Sequence, residues 1–400
     1  MYVGKKMKIL IISNYGYISG GVETTISSIR PLLEARGHEV RILTSDSNLD
    51  RQHFNDYSFK QLPKSGIRKL LYTAYNPSSK KVLKHILSEY NPDAIAIYSM
   101  YQATASILSL VKDFPTLLYV HGPELYIKPW IKWYVQRRHF RDNSGSLTST
   151  TPIGLLHYIY FSIICKVTYS SLRKSITMFV ALSSFTKSIL RSQNILATYI
   201  PNAAHLFKYQ PIASDGYEIL YVGRLESYKG VDDLLKAMKI IKKSISDARL
   251  IIVGEGQYED QLKQLTVDLD LVKDVTFLPF QNTNELEKSY RNACLLVMPS
   301  AYPETFGKVG VEAMSIGRPV IACDVGGVRD WLKHGVNGFL VDEHQPKQIA
   351  QFAIELLRNK QKLKAMGKSA SMSAVKFSIE QLADNMEGLF YEAISSWRRE

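Results

Sequence analysis

Pro299-Ser300-Ala301-Tyr302-Pro303-Glu304-Thr305-Phe306-Gly307 lies between a short apolar run, Leu295 to Met298, and a segment of helical length that ends at Gly317. A second apolar run, Val320 to Ala322, follows directly. Strand, loop, helix and strand in that order form one unit of a parallel sheet. Glu304 falls in the loop and Glu312 about a turn and a half inside the helix. Both carboxylates are thereby directed toward the carboxyl end of the sheet, with the helix amides after Phe306 placed to hold an anion.

The same alternation continues in both directions. Upstream the strands expected are Lys8 to Ser13, Glu39 to Thr44, Ala94 to Tyr98, Thr116 to Val120, Thr177 to Ala181 and Thr198 to Ile200. In the second half they are Glu218 to Val222, Leu250 to Val253, Val275 to Leu278, Leu295 to Met298, Val320 to Ala322 and Gly338 to Val341. The class is α/β, with two similar sheets in succession. Pro201, Asn202, Pro211, Ser214, Asp215 and Gly216 cluster between them and mark a connection. The domains expected are 1–205 and 206–380, with a final helix over 381–400 returning to the first. Val22 to Ala35 reads as a helix although Pro31 stands inside it, where it removes a hydrogen bond and should kink the axis.

A length of 400 residues suits two domains, each with its own core. The basic start Lys5, Lys6 and Lys8 precedes an apolar run that ends at Ser13, too short for a secretion signal. Ile153 to Cys165 is the longest strongly apolar stretch and is too short to span a bilayer. Cys165, Cys294 and Cys323 lie far apart without metal-binding spacing, which favours a reducing cytosol. The net charge of +13 calls for an anionic partner.

Several loops carry candidate chemistry. Gly20 and Gly21 separate the first strand from the first helix, so the backbone can approach a ligand beside free helix N–H groups. Gly223 and Arg224 follow the strand Glu218 to Val222, and Lys229 with Gly230 opens the next helix, placing two cations at the carboxyl end of a strand. Arg224 can grip phosphate oxygens with two prongs, and Lys229 adds a mobile point charge. Glu304 and Glu312 beside such a phosphate site make sense as acceptors for sugar and ribose hydroxyls. His121 ends the strand Thr116 to Val120 and can donate to a sugar hydroxyl or act as a base.

Together these residues resemble glycosyltransferase family 4, the retaining GT-B enzymes that use nucleotide-diphosphate sugars. The likeness covers Gly20-Gly21-Val22-Glu23, Arg36-Gly37-His38-Glu39-Val40, Val222-Gly223-Arg224-Leu225 with Lys229-Gly230, and Val253-Gly254-Glu255-Gly256. Its most specific part is Pro303 to Gly317, continuing through Pro319-Val320-Ile321-Ala322 and Gly326-Gly327. The resemblance implies two Rossmann-like domains facing across a cleft. In it, Arg224 and Lys229 would neutralise the donor diphosphate, Glu312 would hold the ribose and Glu304 would face the sugar. Amides of Phe306, Gly307 and Lys308 would cradle the phosphates, Gly20 and Gly21 would approach from the other domain, and His121 would lie by the transferred sugar. It further implies transfer with retention and no metal or other cofactor. A UDP-sugar is the favoured donor, with GDP-mannose as the other candidate, and a glycan or lipid-linked molecule is the acceptor, as in cell-surface polysaccharide or glycolipid assembly. One departure is that Ala203-Ala204-His205 follow Asn202, where the family commonly has Gly, a small or branched residue and Asp.

Residues 125–174 are rich in cations, and Trp130, Trp133 and Tyr134 share one helical face. Two readings stand: docking on an anionic membrane surface at the inner face of the membrane, or packing of the aromatic face on the first domain. No nucleic-acid motif is present, so nucleic acid is not expected. A different functional class is a catalytically silent subunit that binds nucleotide sugar or glycan. A sugar epimerase or a phosphorylase of the same architecture fits less well, the latter because no pyridoxal-phosphate lysine site is visible.

Overall fold

The computed structural model describes residues 5–47, 52–63, 72, 75–121, 163, 166–212 and 216–397. The chain divides into two compact units, Met1–Ile200 with Leu382–Glu400, and Pro201–Gln381. The division thus falls at Ile200 and Pro201 rather than near residue 205, and the last helix contributes to the first unit from Leu382 onward.

In the first unit, strands β1 (Lys8–Tyr15), β2 (Glu39–Ser45), β3 (Tyr57–Phe59), β4 (Ala94–Ile97), β5 (Thr116–Val120), β6 (Met178–Ala181) and β7 (Ala197–Tyr199) form a parallel sheet in the order β3-β2-β1-β4-β5-β6-β7. Strand β3 is absent from the sequence reading because three residues are too few to show a two-residue period. It is an edge strand held in register by Leu43, Thr44 and Ser45 of β2. Helices α1 (Gly21–Ala35), α2 (Pro77–Tyr90) and α3 (Ser184–Ser192) belong to this unit. Helix α1 runs unbroken through Pro31, and its apolar stripe of Ile26, Ile29 and Leu33 is fully buried.

In the second unit, β8 (Glu218–Val222), β9 (Arg249–Val253), β10 (Val275–Leu278), β11 (Leu295–Met298), β12 (Val320–Cys323) and β13 (Gly338–Val341) form a parallel sheet in the order β10-β9-β8-β11-β12-β13. The helices that matter for the site are α4 (Val231–Ser244), α5 (Thr283–Asn292) and α6 (Lys308–Ile316). All residues of β11 and β12 are buried, as expected of strands covered on both faces. Burial of each such Leu, Ile or Val contributes about 1.5–3 kcal/mol.

The last helix, α7 (Ile379–Trp397), is tied to the first unit by specific contacts. Arg36 pairs with Asp384 at 2.6 Å and with Glu387 at 3.1 Å. Tyr391 donates to the Lys5 carbonyl at 2.9 Å, and Tyr98 donates to the Met386 sulfur at 3.0 Å.

Both sheets reverse strand order at one point, between β1 and β4 in the first and between β8 and β11 in the second. Ligands of open α/β sheets bind beyond the carboxyl ends of strands at such a point.

Candidate active site

In the second unit, Lys229 follows β8 and Glu304 follows β11, the two strands that flank the reversal. Their side chains meet: Lys229 Nζ lies 2.5 Å from Glu304 Oε1, with only 17% and 15% of the two side chains exposed. Ser300, itself buried, donates to the same oxygen at 2.7 Å. Glu304 Oε2 accepts no hydrogen bond among the described residues. A carboxylate held twice through one oxygen presents the other in a fixed direction.

The backbone enforces this pairing. Lys229 ends a short 3-10 turn, Ser227–Lys229, rather than opening a helix directly, and Ala301 N–H donates to the Tyr228 carbonyl at 3.1 Å. Gly230 takes a left-handed φ of 68°, and a Cβ there would stand 2.0 Å from the Pro299 carbonyl oxygen. On the other side, Gly326 has φ 58° and a Cβ there would stand 2.0 Å from the Glu304 carbonyl oxygen, which also accepts the Gly327 N–H at 2.8 Å. Each of the two turns can therefore reach its partner only because no side chain intervenes.

Arg224 is exposed, and its side chain makes no hydrogen bond or ion pair among the described residues. Its carbonyl accepts the hydroxyl of buried Tyr221 at 3.0 Å, which pins the loop. Burial, reinforced by the Glu304 charge, keeps the Tyr221 phenol well above its ordinary pKa and therefore a donor. Lys229 Nζ lies 5.9 Å from the ring centroid of Tyr228, which in turn is 5.2 Å from that of Tyr302.

Glu312 is placed differently. It sits on α6 and accepts the Tyr290 hydroxyl from α5 at 2.9 Å. Burial pushes its carboxyl above the usual range, an effect opposed by the Tyr290 hydroxyl and by the Lys308 charge. Tyr290 is fixed in turn by Arg318, a nearly fully buried guanidinium that donates to the carbonyls of Tyr290 at 2.9 Å, Arg291 at 2.7 Å and Gln210 at 2.7 Å. Burial brings the Arg318 pKa down to about 10. Helix α6 begins at Gly307 with no side-chain cap. The preceding Phe306 is buried, and its carbonyl accepts the Trp331 indole N–H at 2.5 Å.

The remaining candidates lie in the first unit. Gly20 precedes α1 with an extended backbone, and a Cβ added there would meet only Glu23 Oε2, at 3.7 Å. His121 continues β5 and stacks on Tyr98 at 5.0 Å between centroids, with Tyr119 on Tyr98 at 4.7 Å. The carboxyl edge around β1 carries the buried acid Glu23 beside the Gly20 turn. Asn14 donates to Ser99 at 2.6 Å and accepts the Gln102 N–H at 3.0 Å, while Tyr15, Tyr17 and His53 form an aromatic row.

The structure thus joins Lys229 to Glu304, leaves Arg224 on the same loop, and gives Glu312 a separate partner. Sequence reasoning missed Ser300, Tyr290 and Tyr221. Only Ser300 carried a local signal, four residues before Glu304.

Residues 204–372 match the model of the family Glycosyl transferases group 1, and residues 19–146 match that of Glycosyltransferase Family 4. The chain is a GT-B glycosyltransferase of the family-4 type. The transferase is 26% identical to an uncharacterized glycosyltransferase of Haemophilus influenzae over 93% of this chain and 96% of that one. It is 41% identical to an uncharacterized glycosyltransferase of Methanocaldococcus jannaschii and 34% identical to a D-inositol 3-phosphate glycosyltransferase of Segniliparus rotundus. Those two matches cover 35% and 44% of this chain and span 35% and 40% of the relatives' lengths.

Two solved structures share the fold at about 20% identity. Sucrose-phosphate synthase from Thermosynechococcus elongatus gives a TM-score of 0.78 over 98% of the transferase and 100% of that chain. HepE of Anabaena, solved with UDP-glucose, gives 0.71 over 98% and 100% at 21% identity. Among the described residues, no helix is long and apolar enough to cross a membrane.

Proposed function

We propose that the transferase moves a sugar, with retention of anomeric configuration, from a nucleotide-diphosphate sugar to a hydroxyl of a glycan or lipid-linked acceptor in cell-surface polysaccharide or glycolipid assembly. The observation that carries this reading is the Lys229–Glu304–Ser300 cluster at the strand reversal of the second sheet. An ammonium has three N–H groups, and Glu304 occupies one of those on Lys229, so the others can turn to a leaving diphosphate beside Arg224. Cations aimed at the developing charge supply the main stabilisation of the departing nucleotide without calling on a metal. The N-terminal amides of α6, beginning at Phe306, Gly307 and Lys308, suit the phosphates.

Glu304 Oε2 suits a hydroxyl of the donor sugar, and Glu312, with one oxygen on Tyr290, can offer the other to ribose hydroxyls. Gly20, Gly21 and His121, at the carboxyl edge of their own sheet, are assigned to ligand contact there. The UDP-glucose in the HepE structure favours a UDP-sugar over GDP-mannose.

A thermal-shift screen over UDP-glucose, UDP-N-acetylglucosamine and GDP-mannose tests the reading, followed by nucleotide release and NMR of the product anomer. A stabilising donor that is turned over with retention supports it. Stabilisation without nucleotide release in the presence of candidate acceptors favours a silent binding subunit, and inversion of the anomer overturns the mechanism.

A further inference from the structure

The sequence holds no Asp or Glu between Asp142 and Asp215. The described part of this acid-free stretch builds one side of the first unit from the helix at residues 166–175, helix α3 and the edge strand β7. The Tyr169 hydroxyl donates to the Gln193 carbonyl at 2.7 Å and so ties that helix to the turn that leads into β7.

The stretch carries exposed aliphatic side chains: Leu196 on the turn is 92% exposed, Val167 61% and Ile163 58%. Exposed cations surround them, with Lys166, Arg173 and Lys174 on one helix and Lys187 and Arg191 one turn apart on α3. Lys187, Arg191 and Leu196 line a common hollow of about 500 Å³ at the end of the sheet.

We propose that this face docks the transferase on an anionic phospholipid surface. Aliphatic groups held in water beside cations, with no acid nearby in sequence, match a bilayer interface. There the apolar side chains enter the acyl boundary and each cation meets phosphate headgroups. A single-stranded nucleic acid would ask instead for exposed aromatic faces on which bases could stack, and a duplex would use the cations and leave the exposed Leu, Val and Ile of this patch in water. Five exposed cations on two elements can each meet a phosphate headgroup, and the hollow lined by Lys187 and Arg191 suits one of them.

The proposal extends the lipid-linked-acceptor reading, but its test concerns the surface alone. Failure here would leave nucleotide-sugar transfer standing.

Co-sedimentation of the full chain with vesicles of phosphatidylglycerol and phosphatidylcholine, against phosphatidylcholine alone, provides that test. Binding is expected to the anionic vesicles and to fall about tenfold or more between ~0.1 and ~0.5 M salt, as the screening length shortens. The double substitution Lys187→Glu with Arg191→Glu should weaken partitioning at least ~10-fold. Leu196→Ser should weaken it at every salt concentration with the salt slope unchanged. Both variants change exposed groups, so unaltered melting temperatures serve as the control for folding. Equal binding to neutral vesicles, equal binding by wild type and both variants, or displacement of the vesicles by duplex DNA at equal phosphate would each overturn the proposal.

Discussion

The carboxyl edges of the two sheets share a topology and differ in chemistry. Around β8 and β11 the edge is charged and cross-linked, with Lys229, Glu304 and Ser300 in one cluster and Arg224 exposed beside it. Around β1 and β4 the described edge holds no such cluster and is made of the Gly20 turn with the buried acid Glu23 beside it, the amide of Asn14 and a row of aromatic rings. In the proposed reading the cation-bearing edge takes the phosphate-bearing donor and the other edge takes hydroxylated groups, so one fold serves different ligands in its two halves through loop composition.

The sharpest way to break this contrast is at the charged edge. Lys229→Ala removes one partner of a mostly buried pair and leaves Glu304 uncompensated. A loss of roughly 2–5 kcal/mol of transition-state stabilisation is expected, or ~30- to 5000-fold in kcat/KM. Steady-state kinetics with the donor found in the screen measures it, and wild-type turnover would remove the charged edge from the mechanism.

Ser300→Ala keeps the ion pair and loses one hydrogen bond to a carboxylate, at a cost of about 1.5–3 kcal/mol. The loss should appear mainly in kcat, since Glu304 would still be present but less firmly directed.

Glu312→Gln should show two effects of opposite sign. Donor KM rises about tenfold, the scale of a charged hydrogen bond of ~1.5 kcal/mol. Stability at pH 8, however, increases. The Glu312 carboxyl is pushed above its ordinary 4.5 by burial, so the folded chain binds the proton more readily than the unfolded one. Wild-type stability therefore falls as pH rises above that value. The amide can still accept from Tyr290, and the gain in Tm at pH 8 should vanish near pH 4.5.

At the edge of the first sheet the expected effects are smaller. Gly20→Ala adds a methyl that has room in an extended backbone. Tm should stay within ~1 °C, while activity falls a few-fold where a ligand comes close to that turn. Dialysis against EDTA should leave turnover unchanged, and its loss with restoration by a divalent cation would replace Lys229 and Arg224 as the source of leaving-group stabilisation.

The core strands were legible because each is an apolar run bounded by turn residues, and the motif loops fall where such strands end, whereas the order of the strands in each sheet had no signal in the sequence. Strand β3 escaped notice because it owes its place to β2 rather than to its own pattern. The identities of Lys229 and Glu304 were readable, but their bond was not, since 75 residues separate them. Arg318 shows the deeper limit. A charged side chain buried to saturate helix-end carbonyls looks in sequence like any surface arginine, and only the carbonyls it meets reveal its task. Residues 125–162 lie outside the described structure, and with them the aromatic face of Trp130, Trp133 and Tyr134.

The return of α7 to the first unit sets an order of manufacture. The second unit is one unbroken stretch and has all its residues once Gln381 has been made. The first unit waits for Asp384, Glu387 and Tyr391 before Arg36 and the Lys5 carbonyl find their partners. A chain growing from its amino terminus would therefore finish the later half before the earlier one. Until those residues emerge from the ribosome, the part of the first unit that meets α7, with Tyr98 against Met386, stays uncovered and dependent on protection from aggregation.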